Sequence, residues 1–324
     1  GLPRHAGTVV FPKSIQRKDT IMARQARGVS VKDLYGGRFI SPQAVRRSMA
    51  GLEKGLTAEF KERARARAQL AKLAKQYQAP LLESLSRDQR AIDAVKGMRA
   101  LHKAARGRKL RVAPLRPPKG VFNPGFNPGM LGATVGPPYD YQWTWSAVSG
   151  KSVGNAETAD SSSGDLSIRL WTDDNDSSAV SGRVAVGIYF YPPAANGNLQ
   201  IWSSPAFAYE WWTYCGLASA HADGWIGLYV GSYDLAGAPT GAVVDQQVTL
   251  WSDDSWFTGA GDHQGSNSGF GLYAPPVPVD QDHQYIIWVW CGGDVSAAGW
   301  GLFSGSGAGD SLQVHAPYIT WELL

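Results

Sequence analysis

The stretch "YIIWVWC", Tyr285–Cys291, decides the fold. Its β-branched and aromatic residues suit a pleated strand. Alternation places Tyr285, Ile287, Val289 and Cys291 on one face and Ile286, Trp288 and Trp290 on the other. Neither face is polar. The strand must therefore sit centrally in a sheet, or have its second face covered by helices or a subunit. Around it, "YQWTW", "GRVAVGIYFY", "QVTLW" and "YITWEL" repeat the strand signal. They are separated by "DNDSS", "YPPAANGN", "AGAPTG", "AGDHQGSNSG" and "GSGAGD", which are rich in turn formers. No long amphipathic helix intervenes. Residues 139–324 read as an all-β antiparallel sandwich, jelly-roll-like.

Two echoes suggest an internal duplication of that sandwich. "LWTDD" (Leu170–Asp174) returns as "LWSDD" (Leu250–Asp254). Each is followed by an aromatic strand reaching Cys-Gly (Cys215, Cys291) and then by Gly-Trp (Gly224–Trp225, Gly299–Trp300). On this reading the leucine and tryptophan close a strand and the aspartates begin the turn leaving it. Asp173, Asp174, Asp176, Asp253 and Asp254 also have the ligand type for Ca²⁺, which takes six to eight oxygens. The EF-hand spacing is missing, and Asp and Asn are turn formers in their own right. No other cofactor is expected. Cys215 and Cys291, the only cysteines, read as buried thiols rather than a disulfide.

The other part of the chain is physically different. Residues 1–120 hold 28 Lys/Arg against 8 Asp/Glu, a balance of +20, whereas residues 121–324 hold 3 against 19, a balance of −16. All thirteen tryptophans lie in the acidic part. Residues 1–40 read as an extended basic arm. Residues 41–110 read as a basic helical region, most simply two helices. Ser41 caps the first and Pro42 occupies its first position. Met49, Leu52, Leu56 and Phe60 recur at helical spacing, Leu70, Leu73 and Tyr77 resume it, and Pro80 is expected to interrupt it. Residues 111–138, with "FNPG" twice, read as a Pro/Gly-rich linker or strap without regular structure.

The basic patch comprises Arg63, Arg65 and Arg67, then Arg106, Arg108, Lys109 and Arg111. It could meet nucleic-acid phosphates, an anionic membrane face, or the acidic half of its own chain or of a protein partner. Charge complementarity with protein is the reading preferred here, including homo-oligomer formation through the helical region. No zinc-finger or helix-turn-helix spacing supports the nucleic-acid reading. No apolar run reaches the roughly 18–20 residues of a membrane-spanning helix, and "GLPRHAGTVV" lacks the apolar core of a secretory signal.

Motifs of catalysis are absent: there is no HExxH, GxSxG, Walker loop or dinucleotide fingerprint. Glu210, flanked by aromatics in "AYEWW", is the one catalytic candidate, as a sugar hydrolase would need a pair of carboxyls. Tyr209, Trp211, Trp212 and Trp256 are candidate ligand-contacting aromatics. Adjacent Trp211 and Trp212 cannot both face inward on a strand. The sequence thus predicts a non-enzymatic structural or interaction protein, a β-sandwich recognition domain with a helical docking or assembly arm, in an extracellular or virion-associated setting. The alternatives are a lectin-like carbohydrate-binding module, a capsid-like protein whose arm binds nucleic acid, and a secreted glycoside hydrolase.

Overall fold

The computed structural model describes residues 40–106, 131–151, 153–172, 177–216, 218–256, 259–299 and 305–324. Residues 1–39 of the expected extended arm (1–40), the FNPG repeat, Arg108, Lys109 and Arg111 lie outside them.

Among the described residues two helices come first, α1 (Pro42–Ser86) and α2 (Gln89–Arg106). Ser41 caps α1 by accepting from the Ala44 N–H at 3.2 Å. Contrary to the sequence expectation, α1 runs unbroken through Pro80. Proline forfeits one hydrogen bond of a 45-residue helix, and the exposed ring costs about 3 kcal/mol. The chain turns instead at Arg87–Asp88. There Asp88 opens α2, its carboxylate accepting from the Arg90 N–H at 2.9 Å.

Fourteen antiparallel strands follow among the described residues: β1 (Leu131–Val135), β2 (Tyr141–Ser149), β3 (Val153–Asp160), β4 (Asp165–Thr172), β5 (Ser178–Phe190), β6 (Asn196–Ser203), β7 (Ala206–Cys215), β8 (Ser219–Asp234), β9 (Pro239–Trp256), β10 (Ala260–Asn267), β11 (Leu272–Asp280), β12 (His283–Ala298), β13 (Ser306–His315) and β14 (Ile319–Leu323). The end of the expected strap is therefore regular. Leu131–Val135 pairs with β14, satisfying backbone groups that Gly/Pro composition alone leaves unassigned.

One five-stranded sheet has the order β2-β5-β12-β8-β9 and faces another of order β10-β7-β13-β4-β3. A third, β1-β14-β6-β11, shares the same core through Leu199, Ile201, Leu272 and Trp321. Within the two main sheets, β5-β12-β8-β9 and β10-β7-β13-β4 are the two quartets of a jelly roll. Exchanging β4, β5, β7 and β8 with β9, β10, β12 and β13 converts one order into the other. The echoes obey this exchange: "LWTDD" begins in β4 and "LWSDD" lies in β9, while Cys215 is in β7 and Cys291 in β12. The match is topological and not positional. Cys215 ends its strand, its buried thiol donating to the Gly259 carbonyl at 3.6 Å, whereas Cys291 is buried in mid-strand.

The double-sided strand behaves as its sequence demands. Tyr285, Ile287, Val289 and Cys291 enter the core between the sheets. Trp288 and Trp290 occupy the outer face and are buried there beneath α1. Leu56 and Phe60 of α1 pack on Trp145 and Ala179; each such buried side chain contributes about 1.5–3 kcal/mol. Polar anchors flank this seam. Tyr141 donates to the Ile40 carbonyl at 2.9 Å, Trp143 to Glu53 at 2.9 Å and Trp145 to Thr57 at 3.3 Å.

Candidate functional site

The outer face of the β10-β7-β13-β4-β3 sheet points away from the sheet that α1 covers. Strand register arranges its residues in rows. One row reads Gly154, Trp171, Gly309, Trp212, Asp262 from β3 to β10, and the next reads Ala156, Arg169, Ser311, Glu210, Gln264. Trp171 is 40% exposed and Trp212 is half-buried. A Cβ added at Gly154 would overlap the Trp171 ring, and one added at Gly309 would lie 2.6 Å from the Trp212 ring. Each indole therefore lies flat across the neighbouring strand, in space that only glycine leaves open. Both rings lean the same way, one strand towards β3. The strands that bear them are two positions apart in the sheet, about 9–10 Å.

Polar groups border the rings. The Arg169 guanidinium lies 5.6 Å from the Trp171 ring centre, within cation–π range. Glu210 is flanked by Ser311 and Gln264 in its row. Burial, and then the nearby Asp262 charge, push its carboxyl above the ordinary range, while Arg169 pulls it back. Tyr214, itself buried, stacks beside the platform, its ring 5.7 Å from Trp212 and within 16° of parallel.

Tyr209 and Trp211 turn the other way. Tyr209 stacks on Trp251 at 4.8 Å, and Trp211 packs against the core. The phase of β7 is set by Thr213, which donates to Asp253 of the facing sheet and lies 2.8 Å from Ser255. Of the four aromatics singled out by sequence, Trp212 thus reaches the outer face and Tyr209 and Trp211 do not. The Trp256 side chain lies outside the described residues. Trp171 and Arg169 were not singled out. The signal that could have found them is the exposed side of "IRLW", whose Ile168 and Leu170 face the core.

The aspartates of the echo are divided. Asp173, Asp174 and Asp176 lie outside the described residues. Asp253 and Asp254 do not begin a turn: both belong to β9, which stays paired with β8 as far as Trp256. Asp253 faces inward to Thr213 and Ser255. Asp254 faces outward, 2.7 Å from Nδ1 of His221, whose Nε2 lies 2.8 Å from Asp223. Among the described residues, no group of His, Cys, Asp and Glu is arranged to hold a metal ion.

The basic patch is likewise divided. Arg63 and Arg67, one helical turn apart, each place Nη1 3.0 Å from a carboxylate oxygen of Asp294, whose side chain is 1% exposed in β12. Arg65 points away and is exposed. The Arg106 side chain lies outside the described residues. Part of the +20 region thus neutralises a buried carboxylate of its own chain. Among the described residues, no helix is long and apolar enough to cross a membrane.

No family model and no curated protein matches this chain. Among solved structures, it is similar to TmCBM61 in complex with β-1,4-galactotriose, at 11% identity over 53% of this chain and 88% of that one, with a TM-score of 0.17. It is similar to a family 11 carbohydrate-binding module from Clostridium thermocellum in complex with a β-1,3-1,4-mixed-linked tetrasaccharide, at 10% identity over 54% and 88%, TM-score 0.15. It also matches the VP2 subviral particle of infectious bursal disease virus, at 13% identity over 57% and 42%, TM-score 0.14. Likenesses this slight carry no function across.

Proposed function

We propose that this is a non-enzymatic recognition protein that binds a saccharide chain across the outer face of the β10-β7-β13-β4-β3 sheet. The observation that carries the reading is the paired placement of Trp171 and Trp212, laid flat over Gly154 and Gly309 on one open face. A sugar ring has a C–H face that stacks on an aromatic plane and a rim of hydroxyls that need both donors and acceptors. Arg169, Glu210, Asp262 and Gln264 supply both around the two rings. The strand separation suits two or more linked sugars rather than one. Glu210 serves here as a hydroxyl acceptor, so Glu210→Gln weakens binding without exposing a lost turnover.

The test is a tryptophan-fluorescence and calorimetric titration of the full chain against a panel of neutral oligosaccharides. Saturable binding that falls at least tenfold in Trp171→Ala and in Trp212→Ala supports the reading. Failure of the whole panel to bind, or binding indifferent to both substitutions, sinks it.

A second role is favoured by α1. Beyond its docked part, Leu70, Leu73, Tyr77 and Leu81 recur at helical spacing and are 57%, 61%, 87% and 48% exposed. An apolar stripe of this kind on a long helix suits self-association. The helical region then assembles several copies, and a multivalent array strengthens weak glycan contacts.

A further inference from the structure

A second aromatic site lies on the opposite side of the sandwich, where α1 crosses the outer face of β2-β5-β12-β8-β9. Register again sets rows: Trp143, Ala185, Trp290, Gly227, Gln247, and beside it Tyr141, Gly187, Trp288, Tyr229, Asp245. Between these rows and α1 is a partly open pocket of about 160 Å³.

Its polar groups are incompletely satisfied. Arg183 lines the pocket with its guanidinium 4.8 Å from the Trp290 ring centre and 5.9 Å from that of Trp225. Its Nε–H is sealed from solvent and has no acceptor, and among the described residues the side chain makes no ion pair. Trp288, which is 1% exposed, also has an Nε1–H without an acceptor. A buried donor left unmade costs about 1–3 kcal/mol. Two carboxylates, Glu59 from α1 and Asp245 from the edge strand β9, face the same space, and Gln247 stands at the rim.

This lining limits the occupant. One guanidinium against two carboxylates gives a formal −1, which disfavours an anion. A cation would have to displace the Arg183 guanidinium, which already takes up the attraction of Glu59 and Asp245 across the pocket. What remains is a neutral molecule with acceptors for Arg183, donors for Glu59 and Asp245, and an apolar face for Trp143 and Trp290. We infer that this pocket binds a single neutral pyranose, separately from the Trp171/Trp212 face, with Arg183 and Asp245 fixing its hydroxyls and α1 forming one wall.

The test uses the full chain carrying Trp171→Ala and Trp212→Ala, so that the open face is disabled. Methyl glycosides of glucose, galactose and mannose are titrated by tryptophan fluorescence and ligand-observed saturation transfer. Acetate and methylammonium serve as charged probes. The expected result is 1:1 saturation by at least one glycoside, weakened tenfold or more by Asp245→Asn and by Arg183→Lys. Asp245 is exposed, so its variant decides the matter if Arg183→Lys does not fold. The inference is overturned if no glycoside saturates, if a charged probe saturates instead, or if Asp245→Asn binds unchanged. Loss of oligosaccharide binding by the open face alone leaves these readouts unaffected, so the two sites fail separately.

Discussion

Arg67 Nη1 lies 3.0 Å from Asp294 Oδ1, joining the basic helical region to a carboxylate buried in the middle of β12. Arg63 holds the other oxygen at the same distance. Asp294 is 0% exposed, while the two arginine side chains are about a third exposed. Removing both cations leaves a buried charge uncompensated, so Arg63→Ala/Arg67→Ala is expected to cost roughly 3–5 kcal/mol. Asp294→Asn, which removes the charge itself, costs less. Urea unfolding of the three proteins gives the order; equal losses would contradict it.

Asp310 lies behind that pair, on the inner face of β13, 1% exposed. Burial, and then the charge of Asp294, hold its carboxyl well above the ordinary range, against a hydrogen bond from the Leu170 backbone. A raised folded value means the native state binds the proton more tightly. The associated stability is complete below the unfolded value of about 4 and is lost as pH rises through the folded value. Asp310→Asn is therefore expected to stabilise the protein at neutral pH, with the gain vanishing towards pH 3. Thermal melts across that range check the sign.

His221 behaves differently because its neighbours are carboxylates. Burial pulls its imidazolium down and Arg67 opposes it too, but the hydrogen bonds and charge of Asp223, with the bond to Asp254, outweigh both and leave it raised. Its contribution is present below about pH 6.5 and disappears as pH climbs through the folded value. His221→Gln should destabilise at pH 5.5 and be closer to neutral at pH 9. A pH-independent loss would mean that packing, not charge, is what the imidazole provides.

Gly309→Ala places a methyl group 2.6 Å from the Trp212 ring. The ring must tilt off the sheet, at a stability cost of about 1–3 kcal/mol and with at least a tenfold loss of saccharide affinity. Gly224→Ala collides with Trp251 in the core instead. It should cost comparable stability while sparing affinity in the protein that remains folded. Comparing the two by calorimetry separates platform from packing.

Leu73→Glu/Tyr77→Glu breaks the exposed stripe of α1 without touching the docked residues. If copies associate there, light scattering shows a fall in particle mass while the melting temperature of the sandwich is kept. An unchanged mass removes the assembly role.

Much of this architecture was legible because local pattern reflects burial directly. "YIIWVWC" has two apolar faces, and β12 has a sheet on one side and a helix on the other. Ser41–Pro42 starts a helix for reasons contained in those two residues. What stayed hidden depends on partners distant in sequence. The phase of β9 is set by Thr213 and His221, so the Asp253–Asp254 pair was read as a turn when it is strand. Pro80 is tolerated because the helix around it is long. That Trp212 and not Trp211 faces outward follows from Thr213 meeting Asp253 across the sandwich, and no spacing within "EWWT" contains that fact. Trp171 looked like a strand residue, and only its register against Gly154 makes it a platform.

The glycines beneath the aromatic rings couple positions that local sequence keeps apart. Trp171 with Gly154, Trp212 with Gly309, Trp288 with Gly187 and Trp290 with Gly227 are direct cross-strand partners, and in each the ring occupies the place of a missing Cβ. Neither member can change alone without a clash or a void. Across any lineage of related chains, such pairs should be inherited and lost together, so their co-variation would record the strand register more faithfully than the identity of either residue.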